Sequence, residues 1–259
     1  MSGFISYINH VDNATVTGSA TLGSLVPSTV QSTIIGEVTR LDGTTGQLMV
    51  DFGADQPVQA LGLAMPPDGV VMDASDSIRW RLSSSAMGAG EVYDSGAVAS
   101  GMSERYGIAG VLLPAEVTAR YLQVDFNAPS LATQNHLDIG RLWAGPAFVP
   151  VMGMEAPLAW RSASGDSPEV RQGARSLIQF ADQGVSAREL EPVWPVLSEA
   201  EGDAALAFAE AVTTREQFFL STRNTGIATR GLFVRCSDPP TVEDHGTHWS
   251  LSLGAIESK

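Results

Sequence analysis

The sequence predicts a mainly β protein, an antiparallel β-sandwich followed by a smaller β-rich domain with one α-helix. Three observations carry this. Charged residues make up only 17% of the 259 residues, below the roughly 25% of an ordinary soluble domain. Gly, Ser, Thr and Ala take their place, which suits strands and tight turns better than long helices. Several short segments alternate polar and apolar residues strictly, the period of a half-buried strand. Turn residues separate these segments, and no helical pattern interrupts them before Ser198, as in an antiparallel sandwich.

The first 35 residues are polar and rich in Thr, Ser and Asn, with brief extended pieces such as Thr15-Val16-Thr17. Residues 47–52 read as a strand ended by Gly53, and residues 58–63 as a second strand stopped by Pro66-Pro67-Asp68-Gly69. In residues 77–82 the alternation places Ile78, Trp80 and Leu82 on one face. In residues 120–126 it places Leu122, Val124 and Phe126 together, and residues 136–143 form a further strand. The composition shifts after Pro150, where residues 152–154 and 162–167 are linker-like. The domains are therefore drawn at 1–151 and 152–259. Strands are expected over 174–180 and 188–193, and the one helix near 198–213. Ser198 is its N-cap and Glu201, three residues on, completes a capping box. Leu206, Ala209 and Val212 share a face with Ala205 and Phe208 beside them. Residues 216–221 and 229–236 read as a hairpin around Asn224-Thr225-Gly226, and residues 249–253 as the last strand.

The formal net charge is −14, from 15 basic and 29 acidic residues, and Lys259 is the only lysine. A chain so acidic repels nucleic-acid phosphates and anionic membrane surfaces. No run of about 18 apolar residues marks a membrane span, and no secretory signal is expected at the N-terminus. Cys236 is the only cysteine, so no intrachain disulfide forms, and assembly in a cytoplasm is expected.

No catalytic set stands out, and no metal or cofactor is expected. His245 and His248 lie beside Glu243 and Asp244, but Gly246, Thr241 and Thr247 make this a loop entering a strand. His10 and His136 are isolated. Cys236 ends an apolar strand without an activating partner and reads as a small buried residue. No serine lies in Gly-x-Ser-x-Gly. Gly88-x-Gly90 and Gly107-x-x-Gly110 lack the strand and helix of a phosphate cradle. Paired acids such as Glu199 and Glu201, or Asp182 and Glu189, lack the aromatic cleft pattern of a glycosidase. Glu199, Glu201 and Asp203 complement a helix dipole. Trp80 and Trp249 alternate with apolar strand positions and read as core. Trp160, in a Ser-rich stretch, reads as an interface or ligand residue, and Phe219, Arg223 and Asn224 of the hairpin as interface residues.

Five segments, in order, carry a family resemblance. They are Asp51-Phe52-Gly53 with Pro57-Val58-Gln59-Ala60-Leu61; Ile78-Arg79-Trp80-Arg81-Leu82-Ser83; Val92-Tyr93-Asp94-Ser95-Gly96; Ala119-Arg120-Tyr121-Leu122-Gln123-Val124; and Leu137-Asp138-Ile139-Gly140-Arg141-Leu142-Trp143. They resemble the strand signatures of discoidin-like (F5/8 type C) domains, which implies a jelly-roll sandwich. Gly145-Pro146-Ala147-Phe148-Val149-Pro150, and Trp194-Pro195-Val196-Leu197-Ser198-Glu199-Ala200-Glu201 opening a helix, look like a group of phage and prophage tail proteins that join such a module to a smaller β-rich domain. The resemblance covers roughly residues 40–259. It implies a non-enzymatic virion component of the tail tip or baseplate, joining tail tube to adsorption apparatus and assembled in a host bacterial cytoplasm. Its implied partners are further copies of itself in a three- or six-fold ring, the tube, hub and tape-measure proteins, and a host-surface glycan. The alternative is a carbohydrate-binding module contacting the bacterial surface through loops around residues 27–46, 83–91 and 100–116. The chain departs from extracellular discoidin domains in lacking the cysteines for a terminal disulfide and an acidic loop cluster for calcium.

Overall fold

A computed structural model describes residues 3–66, 70–102, 107–155, 160–163 (backbone only) and 187–258. The strands in chain order are β1 (Phe4–Ser6), β2 (Thr15–Gly18), β3 (Thr39–Asp42), β4 (Thr45–Ala64), β5 (Ser77–Ser83), β6 (Tyr93–Asp94), β7 (Val98–Ala99), β8 (Ile108–Asn127), β9 (His136–Ile139), β10 (Arg141–Gly145), β11 (Trp160–Ala163), β12 (Ala187–Leu190), β13 (Val193–Leu197), β14 (Phe218–Ser221), β15 (Gly231–Cys236), β16 (Thr241–Asp244), β17 (Trp249–Ser252) and β18 (Ala255–Glu257). The helix α1 spans Glu199–Ala211, and a single turn, α2, spans Ile227–Arg230. The fold is mainly β and its strand pairings are antiparallel.

Two long strands organise the first part. β4 and β8 pair along most of their length, β2 and β5 flank one half of the pair, and β10 flanks the other half of β4. The strand expected to end at Gly53 continues to Ala64. A bulge between Asp51 and Gln56, and a second between Val58 and Ala60, absorb the turn chemistry without ending the pairing. The segment 136–143 divides at Gly140 instead. β9 pairs with β3, while β10 pairs with β4. One apolar core collects Leu48, Val50, Leu61, Leu63, Ile78, Trp80, Leu82, Leu122, Val124, Leu137 and Leu142.

A six-stranded sheet, ordered β1-β14-β15-β18-β12-β11, forms the second part. β1 pairs with β14, so the first strand of the chain completes a sheet whose other strands lie beyond residue 159. The expected hairpin forms, with β14 paired to β15. The strand expected at 174–180 lies outside the described residues.

The second sheet packs on the outer side of the β10-β4-β8 half, and the sequence shows why it can. Along β4 the large residues Leu61 and Leu63 enter the first core, while Ala60 and Ala64 enter a second core. On that second side a Cβ at Gly62 or Gly110 would press into the Phe219 ring. Small residues on one face let a second layer of side chains reach the backbone. Phe219 stacks on Phe233 at 4.9 Å between centroids and meets Phe4 edge-on at 5.6 Å, with Trp143 alongside.

α1 begins as expected. Ser198 Oγ accepts from Glu201 N, and Glu201 Oε2 accepts from Ser198 N at 2.7 Å. Its buried stripe runs through Gly202, Ala205 and Phe208 to Val212. At Gly202 a side chain would fall within the Trp249 ring, so this helix face meets β17 directly.

Arg141, at the start of β10, is 1% exposed. Its Nε donates to Gln217 Oε1 at 2.9 Å, its Nη1 to Asp12 Oδ1 and to Gln31 O at 2.6 Å each, and its Nη2 to Asp12 Oδ2 at 2.9 Å. Gln217 Nε2 in turn donates to Thr33 O at 3.2 Å. Asp12 is 37% exposed, so breaking the pair is costly when it is the buried Arg141 that loses its counter-charge, a change that typically costs about 3–5 kcal/mol. Asp12→Ala is expected to lower unfolding free energy by about that amount. Urea denaturation followed by tryptophan fluorescence checks it, and a loss below about 1 kcal/mol contradicts a central role for this network.

Candidate functional site

The bulges that bend β4 and β8 also shape a surface. Along β8, Leu122, Val124 and Phe126 point inward by simple alternation, so Tyr121, Gln123 and Asp125 point outward. Ala119 is buried in the core, and Arg120 and Tyr121 after it are both half-exposed. The irregular register between Tyr121 and Ala119 thus sends two successive side chains to the solvent side. Arg120 grips Asp51 with both Nε (2.9 Å) and Nη2 (3.0 Å), and its guanidinium carbon lies 5.0 Å from the centroid of the Tyr121 ring. The two side chains remain 40% and 31% exposed. Hydrogen bonding from Arg120, then from the Gly53 N–H, holds the Asp51 carboxyl below its ordinary value.

Two further ion pairs continue along this face. Arg81 donates to Asp125 at 2.5 Å, and Arg79 to Asp94 at 2.5 Å. Gln123 donates to Gln47 and Asp125 between them. Residues 84–91 fold over the face, where Arg81 Nη1 donates to Gly88 O at 2.6 Å and Gly88 takes a left-handed φ of 75°. Glu91 Oε1 accepts from the N–H groups of Ser84 and Ser85 at 2.8 Å each. At the bent end, His10 meets Phe52 edge-on at 6.1 Å and its Nε2 lies 3.1 Å from Pro57 O. Burial lowers the His10 pKa against the raising effect of that hydrogen bond.

The three loops expected to form one binding site do not converge. Ser84, opening the 83–91 loop, donates to Thr118 O beside this surface. The turn at Gly43 and Thr44 lies at the other end of the sandwich, bonded to Asn135 and Ala128. Gly101 faces Ala228 of the second part. Pairing of β4 with β8 from Thr45 and Asn127 to the bulge at Asp51 and Tyr121 separates the first two.

Phe219, expected at an interface with a partner, is fully buried within the chain's own second core. Apolar character on a hairpin reads alike from sequence whether the covering surface is internal or foreign. Arg223 is exposed, and Asn224 Oδ1 is buried without a hydrogen-bond partner. Trp160 opens β11, but its side chain lies outside the described residues, as does Asp182. His245 and His248 stack at 4.8 Å, and His245 Nε2 lies 3.0 Å from Ser250 Oγ. No three metal-ligating side chains gather among the described residues. Trp80 is buried, while Trp249 is half-exposed against α1. Cys236 is buried, and that burial, with Glu216 nearby, pushes its thiol up to about 11. Among the described residues no helix is long and apolar enough to cross a membrane.

No protein-family model matches the sequence, and no curated protein matches it. Solved structures do. A chitosan-binding module derived from a chitosanase/glucanase of Paenibacillus sp. IK-5 is 16% identical, with 53% of this chain and 98% of that one covered and a TM-score of 0.40. A fucose-binding module of Streptococcus pneumoniae is 14% identical over 54% and 95%, with a TM-score of 0.43. A fucosidase of Ruminococcus gnavus, solved with fucose, is 13% identical; 53% of this chain and about a quarter (26%) of that one are covered, with a TM-score of 0.41.

The electrostatics predict an acid response at the covering loop. Backbone hydrogen bonds from Ser85 and from Glu91 itself hold the Glu91 carboxyl down to about 2. Arg79, then the Gly96 N–H, hold Asp94 down to about 2. Groups whose folded pKa is depressed stabilise the fold above their unfolded values of about 4, and that stability is lost as pH falls toward 2. Amide protection factors at residues 84–96, referred to the intrinsic exchange rate at each pH, are expected to fall between about pH 4 and pH 2, earlier than in the β4–β8 core. Unchanged protection across that window contradicts the assignment.

Proposed function

We propose that the protein binds glycan without transforming it, through the exposed surface at the bent end of its sandwich. The observation that carries this is the pairing of the half-exposed Tyr121 ring with the open Arg120–Asp51 ion pair. A sugar offers an apolar C–H face that packs on an aromatic ring, and hydroxyls that both donate and accept. A carboxylate accepts from such hydroxyls and a guanidinium donates to them. Exposed ion pairs contribute little to stability, so Arg79–Asp94 and Arg120–Asp51 weigh more as chemistry presented to solvent than as structural ties. The discoidin-like segments of the sequence support the same reading.

A second reading is the tail-tip subunit, self-associated into a ring. It draws support from the sequence resemblance and from one surface. Val151 (85% exposed), Met152 (55%) and Val196 (41%) gather at the start of α1, where Val151 N donates to Glu201 Oε1 at 2.7 Å. Apolar side chains grouped at a surface are a common mark of association.

Both readings have direct tests. On a broad glycan panel, the purified chain is expected to retain at least one glycan, and Tyr121→Ala to weaken it by about tenfold, the effect of losing one stacking ring. No binding to any glycan, or binding indifferent to Tyr121→Ala, refutes the assignment. Light scattering of the same sample reads the second proposal. A closed three- or six-membered ring, reduced to monomer by Met152→Glu, supports it, and a monomer of 27.3 kDa at high concentration opposes it.

A further inference from the structure

The second part of the molecule contains a cleft of about 480 Å³ between the N-terminal segment and the ends of β15 and β18, in the middle of the six-stranded sheet. Thr33 and Ile34 line one side, and Thr214, Arg235, Ser237 and Ser258 contribute to the rest. Its size lies within the roughly 300–1,000 Å³ of small-molecule sites.

Two polar atoms of this lining are unsatisfied. Arg235 Nε and Ser258 Oγ are buried and have no hydrogen-bond partner. Buried polar groups are nearly always paired. Strand register places the two together. Arg235 lies opposite Ile256 in the β15–β18 pairing, and Ser258 N donates to Phe233 O two residues earlier on β15. Arg235 and Ser258 are therefore diagonal neighbours on one face of the sheet. The carboxylate in the lining does not neutralise Arg235. Glu257 is held by Arg188, which donates to Oε1 at 2.5 Å and to Oε2 at 3.0 Å. Thr33 is fixed from behind, since its carbonyl accepts from Gln217, itself bound by Arg141.

We propose that this cleft binds a small hydroxylated carboxylate the size of a monosaccharide acid. Arg235 lines the cleft, and the Nη groups of its guanidinium, which are not among the buried unpaired atoms, are donors that fit a carboxylate. Ser258 Oγ supplies a neighbouring donor, and the hydroxyls of Thr33, Thr214 and Ser237 suit a ligand bearing hydroxyls. The cleft is distinct from the sandwich surface and its ligand does not depend on that surface binding glycan.

The test is a titration of the isotope-labelled full chain with glucuronate, glucose and inorganic phosphate, followed by amide and arginine Nε–H resonances. Glucuronate is expected to shift the Arg235 Nε–H and the amides of Ser237 and Ser258 saturably, with no matching response to glucose. Arg235→Met, which keeps the stem and removes the fork, is expected to weaken the response at least tenfold. Ser258→Ala, a milder change, is expected to weaken it several-fold. Unchanged resonances of the sandwich core show that each variant is folded. No saturable shift with glucuronate, an equal response to glucose, an undiminished response in the folded Arg235→Met protein, or tighter binding of phosphate at the same resonances would overturn the proposal. Tyr121→Ala is expected to leave this titration unchanged, so failure here and failure of the glycan surface are read separately.

Discussion

A guanidinium buried to 1% exposure must find partners for its donors or the fold cannot hold it. Arg141 finds them in two distant parts of the chain: Asp12 and the Gln31 carbonyl on the N-terminal segment, and Gln217 just before β14. The network continues outward. Asn9 Nδ2 donates to Asp12 and to the Leu142 carbonyl, and Gln217 reaches Thr33. The path of the N-terminal segment, the position of β10 and the seating of the second sheet are thereby set by one side chain. The Trp143 ring, 5.5 Å from the Arg141 guanidinium carbon, caps the network on its apolar side and donates from Nε1 to Ser6 Oγ on β1.

Around that fixed point the packing is layered. The half-strands of β4 and β8 beside β10 serve two cores at once. Their large residues enter the sandwich, and their small ones, Ala60, Gly62, Ala64 and Gly110, receive Phe219 and its aromatic neighbours. Neither core closes without the other's contribution. Among the described residues, the buried side-chain polar atoms left unpaired are on Trp194, Asn224, Arg235 and Ser258, all late in the chain. The sandwich satisfies its polar side chains internally, through pairs such as Arg40 with Asp138 and Arg81 with Asp125, and its proposed chemistry lies on an open face. The second part keeps unmet hydrogen-bonding capacity on Arg235 and Ser258, beside a cleft.

Bulges give the long strands their function as well as their shape. A strictly regular β8 would send Arg120 inward when Tyr121 points outward. The extra residues shift that phase, so cation and ring share a side and Asp51 is within reach of both.

Local pattern alone determined much of this molecule. Strict alternation at Ile78, Trp80 and Leu82 and at Leu122, Val124 and Phe126 identified inward faces, because pleating has a period of two whatever the strand pairs with. Ser198 and Glu201 marked the start of α1, because a capping box closes within four residues. The β14–β15 hairpin was legible for the same reason. Tertiary structure decided what depends on distant partners. Gly53 reads as a stop until the continuing ladder with β8 absorbs it. Phe219 reads as an outer contact until the small residues of β4 and β8 make room for it. Arg141 and Arg235 both stand in otherwise apolar strands, and nothing in their neighbours distinguishes them. One is satisfied by residues far away in the chain and the other is left unpaired in a cleft, a difference that arises only when non-local segments come together.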